Sequence, residues 1–176
     1  MKPVPQVLIC VCQPSEFELL FIEKLSNIGV ISTSKKSEFY KICQAMTGIP
    51  EFLLSDPELA KDVYASHTYR SVKSKIYNFV NGFENLLLDR ATDLIVRNSL
   101  YKPFTAFLCD KTSDFEEAFY FFRDKGIHCV TASIGFNLDL EIDFDFSYVS
   151  DVESLDQAFD EIHDWMRSMK EARQKF

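Results

Sequence analysis

Apolar and polar positions alternate along this chain in a small number of clear rhythms. Gln6-Val7-Leu8-Ile9-Cys10-Val11-Cys12 is an apolar run that predicts a buried strand. Residues 15–28 follow with Phe17, Leu20, Phe21 and Leu25 near helical spacing, and Gly29 is placed to end that helix. Val30-Ile31-Ser32 suits a short second strand. Ser37 to Met46 reads as a helix with Phe39, Ile42, Cys43 and Met46 on one side, broken by Thr47-Gly48-Ile49-Pro50. Glu51 to Leu54 is a short helix, and Ser55-Asp56-Pro57 a turn or a helix start with proline first. Residues 66–75 are polar and basic and predict an exposed loop or helix edge. Ile76–Leu88 and Asp89–Leu100 read as one or two helices.

The second half is more regular. Residues 104–109 form a buried strand, with Asp110 at its carboxyl end. Ser113 and Glu116 have the spacing of a capping box for a helix over 114–125, which Gly126 ends. Residues 127–134 form the next strand, in which His128 is expected as a satisfied core histidine. A strand–helix–strand unit of this kind implies a parallel, right-handed crossover. Residues 138–149 alternate strictly. Leu138, Leu140, Ile142, Phe144 and Phe146 face one way, and Asp139, Glu141, Asp143 and Asp145 the other. Carboxylates strung along one strand face do not wrap a cation, so a solvated face is expected there and no metal site. A last helix over 154–173 carries the stripe Leu155, Phe159, Ile162, Met166 and Met169. The sum is one α/β domain with a parallel sheet.

Charge and composition narrow the function classes. The 176 residues carry a net charge of −8, which excludes broad contact with nucleic-acid backbones. An acidic surface of this kind keeps a protein soluble, and it also suits a mimic that offers carboxylates to a basic partner. Phe is abundant, at 17 against one Trp, and is expected to serve mainly as core. The five cysteines are odd in number and include no CxxC, so neither a disulfide framework nor a zinc site is expected. With no signal peptide or membrane span predicted, the expected location is cytoplasm, a cell's own or that of an infected host.

The junction between the first strand and first helix is the most telling segment. A mononucleotide-binding α/β domain places a Gly-rich loop there, whose N–H groups cradle phosphates while a lysine neutralises them. Here the junction is Gln13-Pro14, followed by Ser15 and Glu16, with no glycine and no lysine. Glu16 and Glu18 would repel a triphosphate, and at a helix N-terminus they serve as favourable end charges.

Four further segments nevertheless resemble the phage deoxynucleoside monophosphate (dNMP) kinase family, a branch of the P-loop kinases. The first is Ser37-Glu38-Phe39-Tyr40-Lys41-Ile42-Cys43, then Gly48 and Asp56-Pro57-Glu58-Leu59-Ala60-Lys61. The second is Leu86-Leu87-Leu88-Asp89-Arg90-Ala91-Thr92-Asp93 with Arg97 after it. Ala91 stands there in place of the family's glycine, and its glutamine is absent. The third is Phe107-Leu108-Cys109-Asp110 with Glu116, similar to a family strand ending in Asp-x-Arg-x-x-x-Glu, although Thr112 holds the arginine position. The fourth is Phe144-Asp145-Phe146 through Asp151 and Ser154-Leu155, without the usual Asn-x-Gly turn. The element order is shared over residues 5–168.

The resemblance implies a P-loop-kinase-like, three-layer α/β fold: a parallel sheet flanked by helices. It implies one domain over 1–176, with a helical substrate-region insertion at about 37–100. It also places Lys41, Arg70, Arg90, Arg97 and Asp110 as ligand-binding candidates around a former nucleotide pocket. With the phosphate loop and the arginine missing, no catalytic residue, cofactor or metal is assigned. Losing such a cationic group costs roughly a hundredfold or more in rate. The expected function is a catalytically inactive dNMP-kinase-like protein, of viral origin, that binds a protein partner or a dNMP-related nucleotide. The alternatives are a divergent active dNMP kinase using Lys41, Arg90 and Arg97, and a structural subunit such as a homodimer joined through aromatic surface. No membrane contact is expected.

Overall fold

The computed structural model describes residues 4–12, 15–102, 105–135 and 146–149, together with 160, 161, 163, 164, 167 and 168. Most of the acidic alternating segment and of the last helix's apolar stripe therefore lies outside the described residues. The chain divides into two compact units. One comprises residues 1–33 and 92–176, the other residues 34–91.

The first unit is a parallel sheet with helices against it. β1 (Gln6–Cys12) leads into α1 (Ser15–Asn27) and then β2 (Ser32–Thr33). After the second unit come β5 (Thr105–Cys109), α6 (Thr112–Asp124), β6 (His128–Gly135) and β7 (Phe146–Val149). These five strands lie in the order β2-β5-β1-β6-β7, every pair parallel. Counted along the chain that is 2-3-1-4-5, so the first strand is the central one.

Central position explains the composition of β1. Val7 to Cys12 are each wholly buried, because a strand flanked on both edges and covered on both faces has no solvent side. Leu8, Cys10 and Cys12 point to the face where α1 packs Phe21 and Leu25. Ile9 points to the other face in register with Phe107. There Phe122 of α6 meets Phe107 edge-on, with ring centroids 5.1 Å apart. The crossovers β1-α1-β2 and β5-α6-β6 thus use opposite faces, as right-handed connections running in opposite directions must.

The second unit is helical. α2 (Lys35–Thr47) is capped by Ser34, whose hydroxyl accepts from the Ser37 N–H, and closes at Gly48, which takes φ 76°. α3 (Glu51–Leu54) and a 3₁₀ turn at Pro57–Leu59 follow, the turn capped by the Asp56 carboxylate accepting from the Glu58 N–H. A short hairpin, β3 (Val63–Tyr64) with β4 (His67–Thr68), precedes α4 (Tyr69–Asn81), and α5 (Leu86–Asn98) runs into the first unit. Val72, Ile76 and Val80 of α4 join Phe39, Tyr40, Ile42 and Cys43 of α2 in the core of this unit.

Three local expectations change. The polar stretch 66–75 is hairpin only up to Thr68 and helix from Tyr69 on, because Val72 begins the buried i, i+4, i+8 stripe that Ile76 and Val80 continue. The α6 helix starts at Thr112 with Lys111 at its N-cap and no side-chain cap, so Ser113 is inside the helix. Its first turn is closed by the Phe115 N–H donating to the Lys111 carbonyl. His128, expected in the core, is exposed, since it opens β6 beside Gln6 at the amino end of the sheet. Among the described residues no helix is long and apolar enough to cross a membrane.

The Phe107–Phe122 contact sets the depth of α6 on the sheet. Phe122 is fully buried, so Phe122→Ala should destabilise the fold by about 3–5 kcal/mol. Urea denaturation is the check, and a loss below about 1 kcal/mol would mean that α6 is not seated as described.

Candidate functional site

In an open parallel sheet the ligand crevice forms at the carboxyl edge, where neighbouring strands send their connections in opposite directions. β1 and β5 are such a pair, since α1 and α6 leave them on opposite faces. The residues at this edge are Cys12 at the end of β1, and Cys109 and Asp110 at the end of β5. Val11 stands in register with Cys109.

The chemistry here is thiol and carboxylate. The Cys10 and Cys12 sulfurs lie 3.3 Å apart and both residues are fully buried. Burial pushes the Cys10 thiol well above its ordinary range, and the neighbouring Cys12, Cys109 and Glu18 push it the same way. Burial likewise raises Cys109, with Asp114, Cys12, Asp110 and Glu18 adding to it. Both thiols are neutral hydrophobes at pH 7 and poor nucleophiles. The carboxylates of Glu18, Asp110 and Asp114 stand near Cys109, and Lys111 follows Asp110 at the N-cap of α6. Cys129 is raised to about 12, chiefly by burial. All five cysteines are free. Among the described residues no group of three or more His, Cys, Asp or Glu is arranged to hold a metal.

The candidate cations sit elsewhere. Lys41 and Arg90, both in the helical unit, converge on one buried carboxylate. Lys41 Nζ donates to Glu38 Oε2 at 2.7 Å, and Arg90 Nε lies 3.5 Å from Glu38 Oε1. The second distance is an ion pair without hydrogen-bond geometry, since Arg90 Nε has no acceptor. Glu38 is 3% exposed, and a carboxylate that deep needs compensating charge. These two cations supply it, and in doing so they tie α2 to the start of α5.

Arg70 stands apart from that pair, on the wall of a cavity it shares with Lys73 and Asp56. Arg97 is an exposed residue of the first unit, its Nε donating to the Asp93 carbonyl at 3.3 Å and 3.9 Å from the Asp93 carboxylate. Such a surface pair contributes little. Asp110 is exposed at the carboxyl end of β5. The structure thus brings Lys41 and Arg90 together and leaves Arg70 and Arg97 with other neighbours. Sequence reasoning passed over Glu38 as a buried charge. Its i, i+3 spacing to Lys41 was visible, but its burial was not. Lys73 was also passed over, with nothing in its polar neighbourhood to mark it.

Comparison with protein-family models, with curated proteins and with solved structures finds no match.

Two outcomes follow from these groups. Glu38→Ala should cost about 2 kcal/mol, through the lost hydrogen bond to Lys41, the lost pairing with Arg90 and the space its buried side chain leaves. Lys41→Ala should cost less than about 1 kcal/mol, its ammonium being half exposed. Urea midpoints check both, and equal losses would contradict the assignment. The thiols predict an alkaline instability. Cys10 and Cys109 stay protonated in the fold while the unfolded chain ionises them, so the native state holds more protons above about pH 8.5. Stability from this source is complete below that pH and falls as pH rises, by roughly 1.4 kcal/mol per unit for each thiol. The loss between pH 8 and pH 10 should be smaller in the Cys10→Ala/Cys109→Ala double variant. An identical loss would show that other groups govern the alkaline limb.

Proposed function

We propose that this protein is a non-catalytic relative of the dNMP kinases that works by binding, with a protein or a nucleotide-related molecule as its partner. The observation that carries the reading is the carboxyl edge between β1 and β5. Such a sheet binds ligands there on general grounds, yet the sequence at the junction that would cradle phosphates is Gln13-Pro14, with no glycine and no lysine. Phosphoryl transfer rests on positioned phosphates, a metal and cations that take up developing charge. A junction with neither glycine nor lysine lacks the loop that holds a polyphosphate in such folds.

The helical unit supports the same reading. A divergent kinase using Lys41, Arg90 and Arg97 would need those cations for substrate. Lys41 and Arg90 both lie against the buried Glu38, and Arg97 is an exposed residue of the first unit. Drawing the first two toward a phosphate would take compensating charge away from the buried Glu38.

Calorimetric titration with ATP·Mg and with each dNMP, followed by a coupled phosphoryl-transfer assay, tests the proposal. The expected result is no ATP·Mg binding and no transfer to any dNMP. Turnover above the uncatalysed rate would overturn it. Binding of a dNMP in the absence of ATP would place the protein's action on a nucleotide ligand. Binding of neither nucleotide would place it on a protein partner.

A further inference from the structure

The helical unit contains a cavity that the proposed function leaves unused. Its volume is about 220 Å³. Leu54, Pro57 and Ala60 give it an apolar side, and Asp56, Arg70 and Lys73 a charged one. A cavity of about 150 Å³ accommodates a benzene ring, whereas pockets for drug-sized ligands and cofactors begin at about 300 Å³. The space therefore suits a single ring or branched chain with a small polar head, and is too small for a whole nucleotide.

The charged side is held in place by bonds that do not depend on a ligand. Lys73 Nζ donates to the Tyr40 hydroxyl at 3.2 Å and lies 5.7 Å from the centroid of that ring. Asp56 Oδ1 accepts from the Glu58 N–H at 2.9 Å. The Arg70 N–H donates to the Ala60 carbonyl at 3.1 Å, and the Tyr69 N–H to the Asp62 carbonyl at 2.9 Å. These two backbone bonds join the start of α4 to the segment after the 3₁₀ turn, so opposite walls of the cavity are fixed to each other.

Formal charge then selects the head group. Arg70 and Lys73 bring two positive charges and Asp56 one negative, which leaves a single positive charge for an occupant to balance. We propose that this cavity binds a small organic monocarboxylate, with its ring or branched body against Leu54, Pro57 and Ala60. The Arg70 guanidinium is a planar fork matched to a carboxylate, and Lys73 adds a second donor beside it. Asp56 disfavours a dianion, so a phosphate head group is selected against. The inference does not rest on the dNMP-kinase reading and stands or falls separately from it.

Benzoate is the probe, titrated into the intact protein and followed by calorimetry and by amide chemical shifts at Leu54 and Ala60. Wild type should bind it in the millimolar range, with inorganic phosphate at least about tenfold weaker. Arg70→Ala should weaken benzoate by about tenfold or more through loss of the charged donors. Arg70 is exposed, so this variant should keep its unfolding midpoint. Asp56→Asn should narrow the gap between benzoate and phosphate, and the same narrowing should appear whether or not the capping bond at Glu58 costs some stability. Absence of benzoate binding, binding unaffected by Arg70→Ala, or phosphate binding tighter than benzoate would each overturn the proposal.

Discussion

Everything in the sheet unit follows from the burial of β1. Six successive residues, Val7 to Cys12, have no solvent exposure. A strand in that position must pair on both edges, with β5 and β6 here, and must be covered on both faces. Those demands admit only apolar side chains and small thiols, and they force the two neighbouring crossovers onto opposite faces of the sheet. The carboxyl edge between β1 and β5, where the two connections part, is the place at which sheets of this kind bind ligands.

What fills that edge is determined by a second constraint. A thiol placed in the core without a cation beside it stays protonated, and Cys10 and Cys109 are of this kind. Glu18, Asp110 and Asp114 reinforce the effect, since a thiolate near three carboxylates would be doubly unfavourable. The edge is therefore self-consistent as an uncharged core capped by acidic groups.

The helical unit handles charge differently. It buries one carboxylate, Glu38, and surrounds it with Lys41 and Arg90. Cations that look available in a one-dimensional sequence are thereby committed to an internal task. Arg70 and Lys73 differ, because they line an open volume together with Leu54, Pro57 and Ala60. The positive-φ residues Ala65 and Ser66 turn the hairpin that precedes α4 without the usual glycine or asparagine, so the approach to that helix carries local strain.

The local patterns of the chain were sufficient for β1, α1, α2, β5 and β6, to within a few residues at their ends. Each of these carries its own periodicity or apolar run, and such signals act over a few neighbours. The parallel α/β class followed from the same patterns, as did the absence of a glycine and a lysine at Gln13-Pro14. Other features needed the folded chain. The N-terminal half of α4 is polar in sequence and becomes helix because Val72 packs with Ile76 and Val80. Ser113 has good capping chemistry, but the helix begins before it. The strand order, the burial of Glu38 and the cavity that Arg70 and Lys73 line with Leu54 and Asp56 all depend on residues apart in the chain. Short-range sterics and periodicity are written in adjacent residues. Pairing, burial and the local balance of charge exist only once distant segments share the same space.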